Sequence, residues 1–343
     1  MMAHRLDPTD FTLTELEEIL SGWGHPRFRA RQLLKWVYKG TRDFALMTDL
    51  AKEVRQEFSQ KLTLTGLTRE LEQVSTDGTR KFRWRLPDGE AIESVLIPEG
   101  DHQTLCLSSQ AGCAQGCRFC LTALGGFRRN LMVSEIVRQV LEVRGLLGEG
   151  PPLTNLVFMG MGEPLANFAP LVKAIRILQA PWGLTFSARR VTVSTVGLAP
   201  LIPRLGEEVP VNLTVSLNAV DDATRSALMP VNDRYPLREV LAACRRFPLP
   251  RHRRITFAYV LLKGVNDSPA EARELVRLLK GFRAKVNLIP FNPHPRLPFE
   301  APPPERVAAF QEIIRQAHLP VFIRESRGAD IAAACGQLAV APD

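Results

Sequence analysis

At 343 residues, with 45% hydrophobic and 23% charged residues, the chain reads as globular and able to bury a core, long for one domain but within range for an α/β barrel with an appendage. Its net charge of +8 favours a polyanionic partner, nucleic acid first. Apolar runs such as "FAYVLL" stop far short of the roughly 20 residues a membrane-spanning helix needs, and "MMAHRLDPTD" lacks the apolar stretch of a signal peptide. These exclude a membrane-spanning helix and make the cytoplasm the expected compartment.

The first 66 residues read as a helical module. "DFTLTELEEILSGW" opens on a cap-like Thr12 or Thr14 and continues with helical apolar spacing. In "RFRARQLLKWVYK" the i, i+3, i+4, i+7 spacing puts Ala30, Leu33, Leu34 and Val37 on one face. Arg31, Lys35 and Lys39 recur on the other face, either as a solvated stripe or as a track for phosphates. "FALMTDLAKEVRQEF" is expected to form a third helix. Residues 67–98 are expected to form a linker, with "RKFRWRLPDGEAIESVLIPE" folding as a β-hairpin about its Pro-Asp-Gly turn.

From Gln103 onward the pattern changes. The β-rich runs "TLCLSS", "NLVFMGMG", "RVTVSTVG", "VNLTVSLNA", "ITFAYVLL" and "VNLIPF" recur, with helical stretches such as "SEIVRQVLEVRGLL" and "PAEARELVRLLKGF" between most of them. Strands alternating with helices mean βα units and a parallel sheet, here a partial (β/α)6 barrel over residues 99–325. Chemistry in such barrels sits at the C-terminal ends of the strands. At those ends this chain carries "CLSS", "GMGEP", "STVG", "SLNA" and "PFNP". "PHPRLPFEAPPPE" reads as a loop, followed by one more helix, "VFIRES" and a small-residue tail over 326–343 that could cover the barrel mouth.

"CLSSQAGCAQGCRFC" holds four of the six cysteines. In a reducing compartment such crowding means ligands or catalysts rather than a disulfide framework. Cys113, Cys117 and Cys120, spaced C-x₃-C-x₂-C after the first barrel strand, suit three irons of a cubane [4Fe–4S] cluster with the fourth iron left open to S-adenosylmethionine. A structural zinc site completed by Cys106, Cys244 or Cys335, or an electron-transfer cluster, uses the same thiols. Glu163 of "GMGEP" suits the ammonium of such a cofactor. Ser194, Ser216 and Asn292 suit its hydroxyls, carboxylate or adenine, although singly each reads as a turn or cap residue. Cys244, in "LAACRRF", reads as inert packing. Cys106 sits at a strand end near the cluster loop, and Cys335 in "ADIAAACGQL" stands out only by its place in the tail.

Taken together, "CLSSQAGCAQGCRFC", "GMGEPL", "STVGL", "IPFNP" and "ADIAAACGQL" resemble the bacterial radical S-adenosylmethionine enzymes that methylate carbon 2 of an adenine in 23S rRNA and also in tRNA. The resemblance runs from "RFRARQLLKWVY" to the tail. It implies one [4Fe–4S] cluster, two S-adenosylmethionine molecules per turnover, and an electron donor such as flavodoxin or ferredoxin for a monomeric enzyme. A tail cysteine matching Cys335 would carry the methyl group and bond covalently to the RNA. A cysteine matching Cys106 would release the product by forming a disulfide with it, and a carboxylate matching Glu93 would accept the proton. Cofactor contacts carry over to Gly162, Glu163, Ser194, the Ser216, Leu217 and Asn218 segment, and Asn292. The family usually has Ser-Leu-His-Ala where this chain has "SLNA", so no protonation role is expected at Asn218. The resemblance also makes the helical module an RNA-holding domain. Three rival readings share parts of this pattern: the sister enzymes that methylate carbon 8 of the same adenine, a non-catalytic iron–sulfur RNA-binding protein, and a zinc-bound RNA-binding module.

Overall fold

The computed structural model describes residues 5–339. After a short turn at Pro8–Asp10 come three helices, α1 (Leu13–Gly22), α2 (Phe28–Tyr38) and α3 (Lys52–Lys61). Thr12 caps α1 in a reciprocal box with Glu15, satisfying N–H groups that a helix start leaves open. Helix α2 buries Ala30, Leu33, Leu34 and Val37, as the spacing predicts, and leaves Arg31, Lys35 and Lys39 exposed. The third expected helix is corrected. Its first part is a single 3₁₀ turn, Phe44–Leu46, capped by Asp43, and α3 begins only at Lys52. The intervening residues stay in turns because Asp49 accepts from Trp36 Nε1 at 2.6 Å while Met47 and Leu50 are buried.

Four antiparallel strands follow: β1 (Thr68–Val74), β2 (Arg80–Arg85), β3 (Ala91–Glu99) and β4 (His102–Cys106). The β2–β3 hairpin is the expected one, but β1 extends it, and β3 runs across the boundary placed at residue 98. Then come β5 (Gln110–Gly112), α4 (Leu121–Leu124), β6 (Phe127–Asn130), α5 (Val133–Gly145), β7 (Leu153–Phe158) and α6 (Phe168–Gln179). The chain continues through β8 (Val191–Thr195), α7 (Leu201–Glu208), β9 (Asn212–Ser216), α8 (Asp222–Leu228), α9 (Val231–Arg234), α10 (Leu237–Arg246) and β10 (Ile255–Leu261). It ends in α11 (Pro269–Leu278), β11 (Ala284–Pro290), α12 (Pro304–Gln316) and β12 (Val321–Ile323).

One ten-stranded sheet runs β1-β2-β3-β4-β7-β8-β9-β10-β11-β12. From β4 onward every neighbour is parallel, and β1 and β12 stand at opposite edges, so the sheet curls into a partial barrel and stays open. All six expected strand runs are present, and β12 adds a further parallel strand. Val191, Val193, Leu213, Val215, Phe257, Val286 and Leu288 are wholly buried, as strands covered on both faces require. Leu16, Leu20, Leu33 and Phe58 of the helical module join the same core. The module is also tied to α5, by an Asp7–Arg138 ion pair at 2.7 Å and by Asp10 Oδ1 accepting from Ser134 N at 2.7 Å.

The tail is pinned across the strand ends. Ser75 Oγ and Thr76 N donate to Asp330 at 2.6 and 3.2 Å, and Gly328 N donates to Asp77 Oδ2 at 3.0 Å. Further on, Leu121 N donates to Gly336 O at 2.7 Å and Thr122 Oγ1 to Leu338 O at 2.6 Å. Against the opposing effect of burial, hydrogen bonds from Thr79 and Gly328 bring the Asp77 carboxyl down to about 2. A depressed carboxyl stabilises the docked tail above its unfolded value of 3.8, and that contribution is lost as the pH falls through about 2. Asp77→Ala should speed amide exchange over residues 326–338 on the order of tenfold at neutral pH, the effect of one charge-assisted hydrogen bond. Unchanged exchange would show that the tail is held elsewhere.

Candidate active site

Strand β4 ends at Cys106, and the chain then forms the two-stranded ladder of β5 and β6 at the base of the cysteine loop. Cys113 N donates to Gly126 O at 2.9 Å, closing the loop. Gly112 is needed there: its φ is +75°, and a Cβ would lie 1.9 Å from Gly126 O. Cys113, Cys117 and Cys120 border one pocket at the C-terminal ends of the parallel strands. The same pocket is bordered by Gly162, Glu163, Ser194, Ser216, Asn218 and Asn292, and by Cys335 from the tail.

Burial pushes the Cys113 thiol up to about 12, and a charge on Cys120 or Glu163 pushes it further the same way. Cys117 is likewise raised by burial and then by Cys120 and Cys113. Cys113 and Cys117, each held neutral by burial and by a neighbouring thiol, are favoured as thiolates by a cationic group in the pocket. Yet among the described residues no three His, Cys, Asp or Glu side chains are arranged to hold a single metal ion. The three thiols border one pocket, with N–H groups of Gln115 and Glu163 at the Cys113 sulfur, a donor set that suits an iron–sulfur cluster.

The strand ends supply the rest of the lining. Gly162 has a φ of +97°, and a Cβ there would lie 2.5 Å from Gln110 Cβ, so only glycine brings this turn against Gln110. Glu163 is buried, and its two oxygens accept from Leu165 N at 2.9 Å and Val196 N at 2.8 Å. Burial raises its carboxyl to about 7, so a cation bound beside it would favour the ionised form. Leu217 is wholly buried and does not border the pocket, leaving only its backbone near the site. Asn218 sits at φ +58°, a conformation asparagine tolerates better than most residues, and its Oδ1 accepts from Val260 N at 2.9 Å. That hydrogen bond gives the asparagine a structural duty at the end of β10. Asn292 is turned to the tail: it accepts from Ser326 Oγ and donates to Cys335 O at 3.2 Å.

All six cysteines are free thiols. Cys335 is exposed at the pocket, whereas Cys106 is buried beside it. Burial pushes the Cys106 thiol up to about 12, a charge on nearby Cys335 adds to this, and Arg324 opposes it. Glu93 lies under the end of the tail rather than in the pocket lining, with Ala339 N donating to its Oε2 at 3.1 Å. Burial raises its carboxyl against the pull of Lys81 and Arg83, at 3.6 and 3.9 Å. Cys244 is buried in α10, as expected of a packing residue.

Sequence reasoning missed Arg324, a cation that acts on Cys106, and Gln110, whose Oε1 accepts from Glu163 N at 2.8 Å. It also missed Asp77 and Asp330, which anchor the tail. No local pattern marks Arg324 or Gln110, whereas the Asp-Gly of "STDGT" is a turn signal from which Asp77 was available but not drawn.

An open parallel barrel with a three-cysteine loop after its first parallel strand defines a class, and residues 107–277 match the family described as Radical SAM superfamily. Residues 7–64 match the ribosomal RNA large subunit methyltransferase N-terminal domain. The crystal structure of a radical SAM methyltransferase from Sphaerobacter thermophilus superposes with a TM-score of 0.92 at 48% identity, covering 97% of this chain and 99% of that one. The dual-specificity RNA methyltransferase RlmN of Syntrophobacter fumaroxidans is 52% identical over 330 residues, 96% of each chain. That of Geotalea uraniireducens is 51% identical over 335 residues, 97% of this chain and 96% of the relative. The chain belongs to the RlmN family of radical S-adenosylmethionine enzymes. Membership implies S-adenosylmethionine and an iron–sulfur cluster as cofactors.

Proposed function

We propose that this enzyme methylates carbon 2 of one adenine in 23S rRNA, and of an adenine in tRNA, through a methyl group carried on Cys335. The observation that carries this reading is the meeting of tail and barrel: Cys335 borders the pocket of the three loop cysteines, and Cys106 lies beside it. Carbon 2, between two ring nitrogens, is electron-poor, so polar transfer from a sulfonium fails there. Cys113, Cys117 and Cys120 would hold one [4Fe–4S] cluster, with Glu163, Ser194 and the 216–218 segment around S-adenosylmethionine. When bound, these groups supply the methyl group and the one-electron chemistry that removes a hydrogen atom from it, at two cofactor molecules per turnover and one electron from a donor such as flavodoxin or ferredoxin.

The chain's own residues do the rest. Cys335 accepts the methyl group on its sulfur and presents it in the pocket. Once the methylene carbon is bonded to carbon 2, Cys335 is joined covalently to the base. Glu93, made more basic by burial, takes the proton from carbon 2, and the unpaired electron of the adduct would return to the cluster that was oxidised in cleaving the cofactor; Ala339, which lies over the carboxylate, must lift for the base to reach it. The Cys106 thiolate then attacks the Cys335 sulfur. The S–CH₂ bond breaks, its electron pair stays on carbon, and protonation completes the methyl group. A Cys106–Cys335 disulfide remains, which an external thiol must reduce before the next turnover.

RNA would lie across the mouth and along the helical module, the division into residues 1–66, 67–98, 99–325 and 326–343 serving as holding domain, linker, barrel and methyl-carrying tail. A groove lined by Arg85, Arg128 and Arg296 borders Ala339 beside the mouth. Extruding the base costs a few kcal/mol, which phosphate contacts offset. Neutralising Arg31, Lys35 and Lys39 together should weaken RNA binding uniformly across sequences and flatten the salt dependence by roughly 0.7–0.9 log units per lost contact. Salt dependence like that of the wild type would remove this helix face from the interface. Among the described residues no helix is long and apolar enough to cross a membrane.

The test is anaerobic turnover of reconstituted enzyme on unmodified 23S rRNA and tRNA, with the digested nucleosides read by mass spectrometry against methyladenosine standards. 2-Methyladenosine from both RNAs is expected. 8-Methyladenosine would retain the chemistry and change the position. No methylated adenosine from protein that holds its cluster and cleaves the cofactor would overturn the substrate.

A further inference from the structure

Arg225, in α8, is a fully buried cation for which the reaction has no use so far, at 0% exposure. Among the described residues, every acceptor it meets is neutral. Nε donates to Leu217 O at 3.1 Å, Nη1 to Asn232 Oδ1 at 2.8 Å and Tyr235 O at 3.4 Å, and Nη2 to Val196 O at 2.6 Å and Ser216 O at 3.4 Å. Burial brings its guanidinium down, though only to about 10, so it stays charged at neutral pH. A buried charge without a countercharge is costly, and hydrogen bonds to carbonyls compensate only part of that cost. After burial, the group that most affects it is Cys117, ahead of Asp222, whose Oδ1 already accepts from Leu237 N at 2.8 Å.

Helix α8 is built against the cysteine loop. Arg118 N donates to Leu228 O at 3.0 Å, and Cys117 packs in one apolar cluster with Leu228 and Met229. Gly116 lies against Pro230, which a Cβ would meet at 3.5 Å. The carbonyls that Arg225 gathers end β8 and β9, beside Ser194 and Ser216 of the pocket. A cubane on three thiolates carries net negative charge, and reduction adds one more. A fixed cation in a low-dielectric shell beside it therefore favours the reduced form.

We propose that Arg225 is the built-in countercharge of the iron–sulfur cluster, a positioning residue that holds the ends of β8 and β9 and raises the cluster's reduction potential. This rests on the reading of Cys113, Cys117 and Cys120 as cluster ligands. The experiment uses the full chain, reconstituted anaerobically, as wild type, Arg225→Gln, Arg225→Met and Arg225→Lys. Iron and sulfide content and a redox titration followed by electron paramagnetic resonance are measured, with thermal unfolding of apo and loaded protein. Loss of the charge should disfavour reduction at least tenfold, a fall of about 59 mV for one electron. Arg225→Lys should recover most of it. Either uncharged variant should also lose more stability when loaded than when apo, because the charge pairs with the cluster only in the loaded form.

A purely structural arginine would cost the same stability in both forms and leave the potential unmoved. Either result would overturn the proposal. Arg225→Met guards against a glutamine variant that fails to fold, since an apolar side chain of similar length often replaces a buried charge. A wild-type chain that takes up no iron or sulfide would instead sink the cluster reading, a separate failure visible before any variant is compared.

Discussion

Cys335→Ala should yield no methylated adenosine, a loss of the whole activity, while the protein still takes up iron and sulfide and still cleaves S-adenosylmethionine when reduced. The expectation follows from where the thiol stands. Cys335 is the exposed sulfur at a pocket that already holds Cys113, Cys117 and Cys120, and its carbonyl is held by Asn292 Nδ2 at 3.2 Å. Alanine has no atom that can carry the methyl group, so no other residue takes over the step. The tail's anchors at Asp77, Asp330, Leu121 and Thr122 do not involve the sulfur, so the substitution should leave the tail docked. Nucleoside mass spectrometry measures the product, and 5′-deoxyadenosine release measures cofactor cleavage. Residual 2-methyladenosine above a few per cent of wild type would mean that the methyl group travels by another route.

Cys106→Ala should stop turnover at a different point, with protein and RNA joined covalently in near-stoichiometric yield. Cys106 lies at the end of β4, paired in register with Val95 and Val157, and Arg324 is the cation that favours its thiolate. In the proposed sequence no step before adduct formation uses this sulfur, and without it no group is assigned to attack the Cys335 sulfur, so the methylene bridge should persist. Denaturing gels of a single-turnover reaction should show a shifted, nuclease-sensitive band, absent from the Cys106→Ala, Cys335→Ala double variant. In the wild type, adduct collapse should quicken with pH. A thiol pushed up to about 12 gives about tenfold more thiolate for each pH unit below that value. A pH-independent collapse, or free methylated RNA from Cys106→Ala, would assign the release to another group.

The fold was legible where its signal is local. The α2 apolar face, the Thr12 cap and the six strand runs each depend on spacing within one element, and each appears as expected. What was missed depends on partners distant in sequence. Strand β1, with most of its residues exposed, carries no inward apolar alternation and exists because β2 offers it a ladder. The β5–β6 ladder is three residues against four, too short for periodicity, yet it sets the base of the cysteine loop. The third helix failed in its first half because Trp36, on another helix, binds Asp49 and holds the 47–51 segment in turns.

Cysteine count and spacing, the glycine-rich strand ends and the βα alternation were determined by the sequence itself, because a covalent chain fixes which ligands share one loop and which faces are apolar. Only the tertiary structure decided which distant groups meet. Cys106 and Cys335 are far apart along the chain and come together because the tail binds the β1–β2 turn through Asp77 and Asp330. Asn292 borders the pocket while its amide is held by the tail, a choice made by Ser326 and the Cys335 carbonyl. Arg225 reads in "DDATRSALMP" as one more surface charge on a short helix. It becomes a buried cation only because α8 is pressed between the cysteine loop and the ends of β8 and β9. Burial and long-range proximity are properties of the packed chain, and they set the electrostatics on which this site depends.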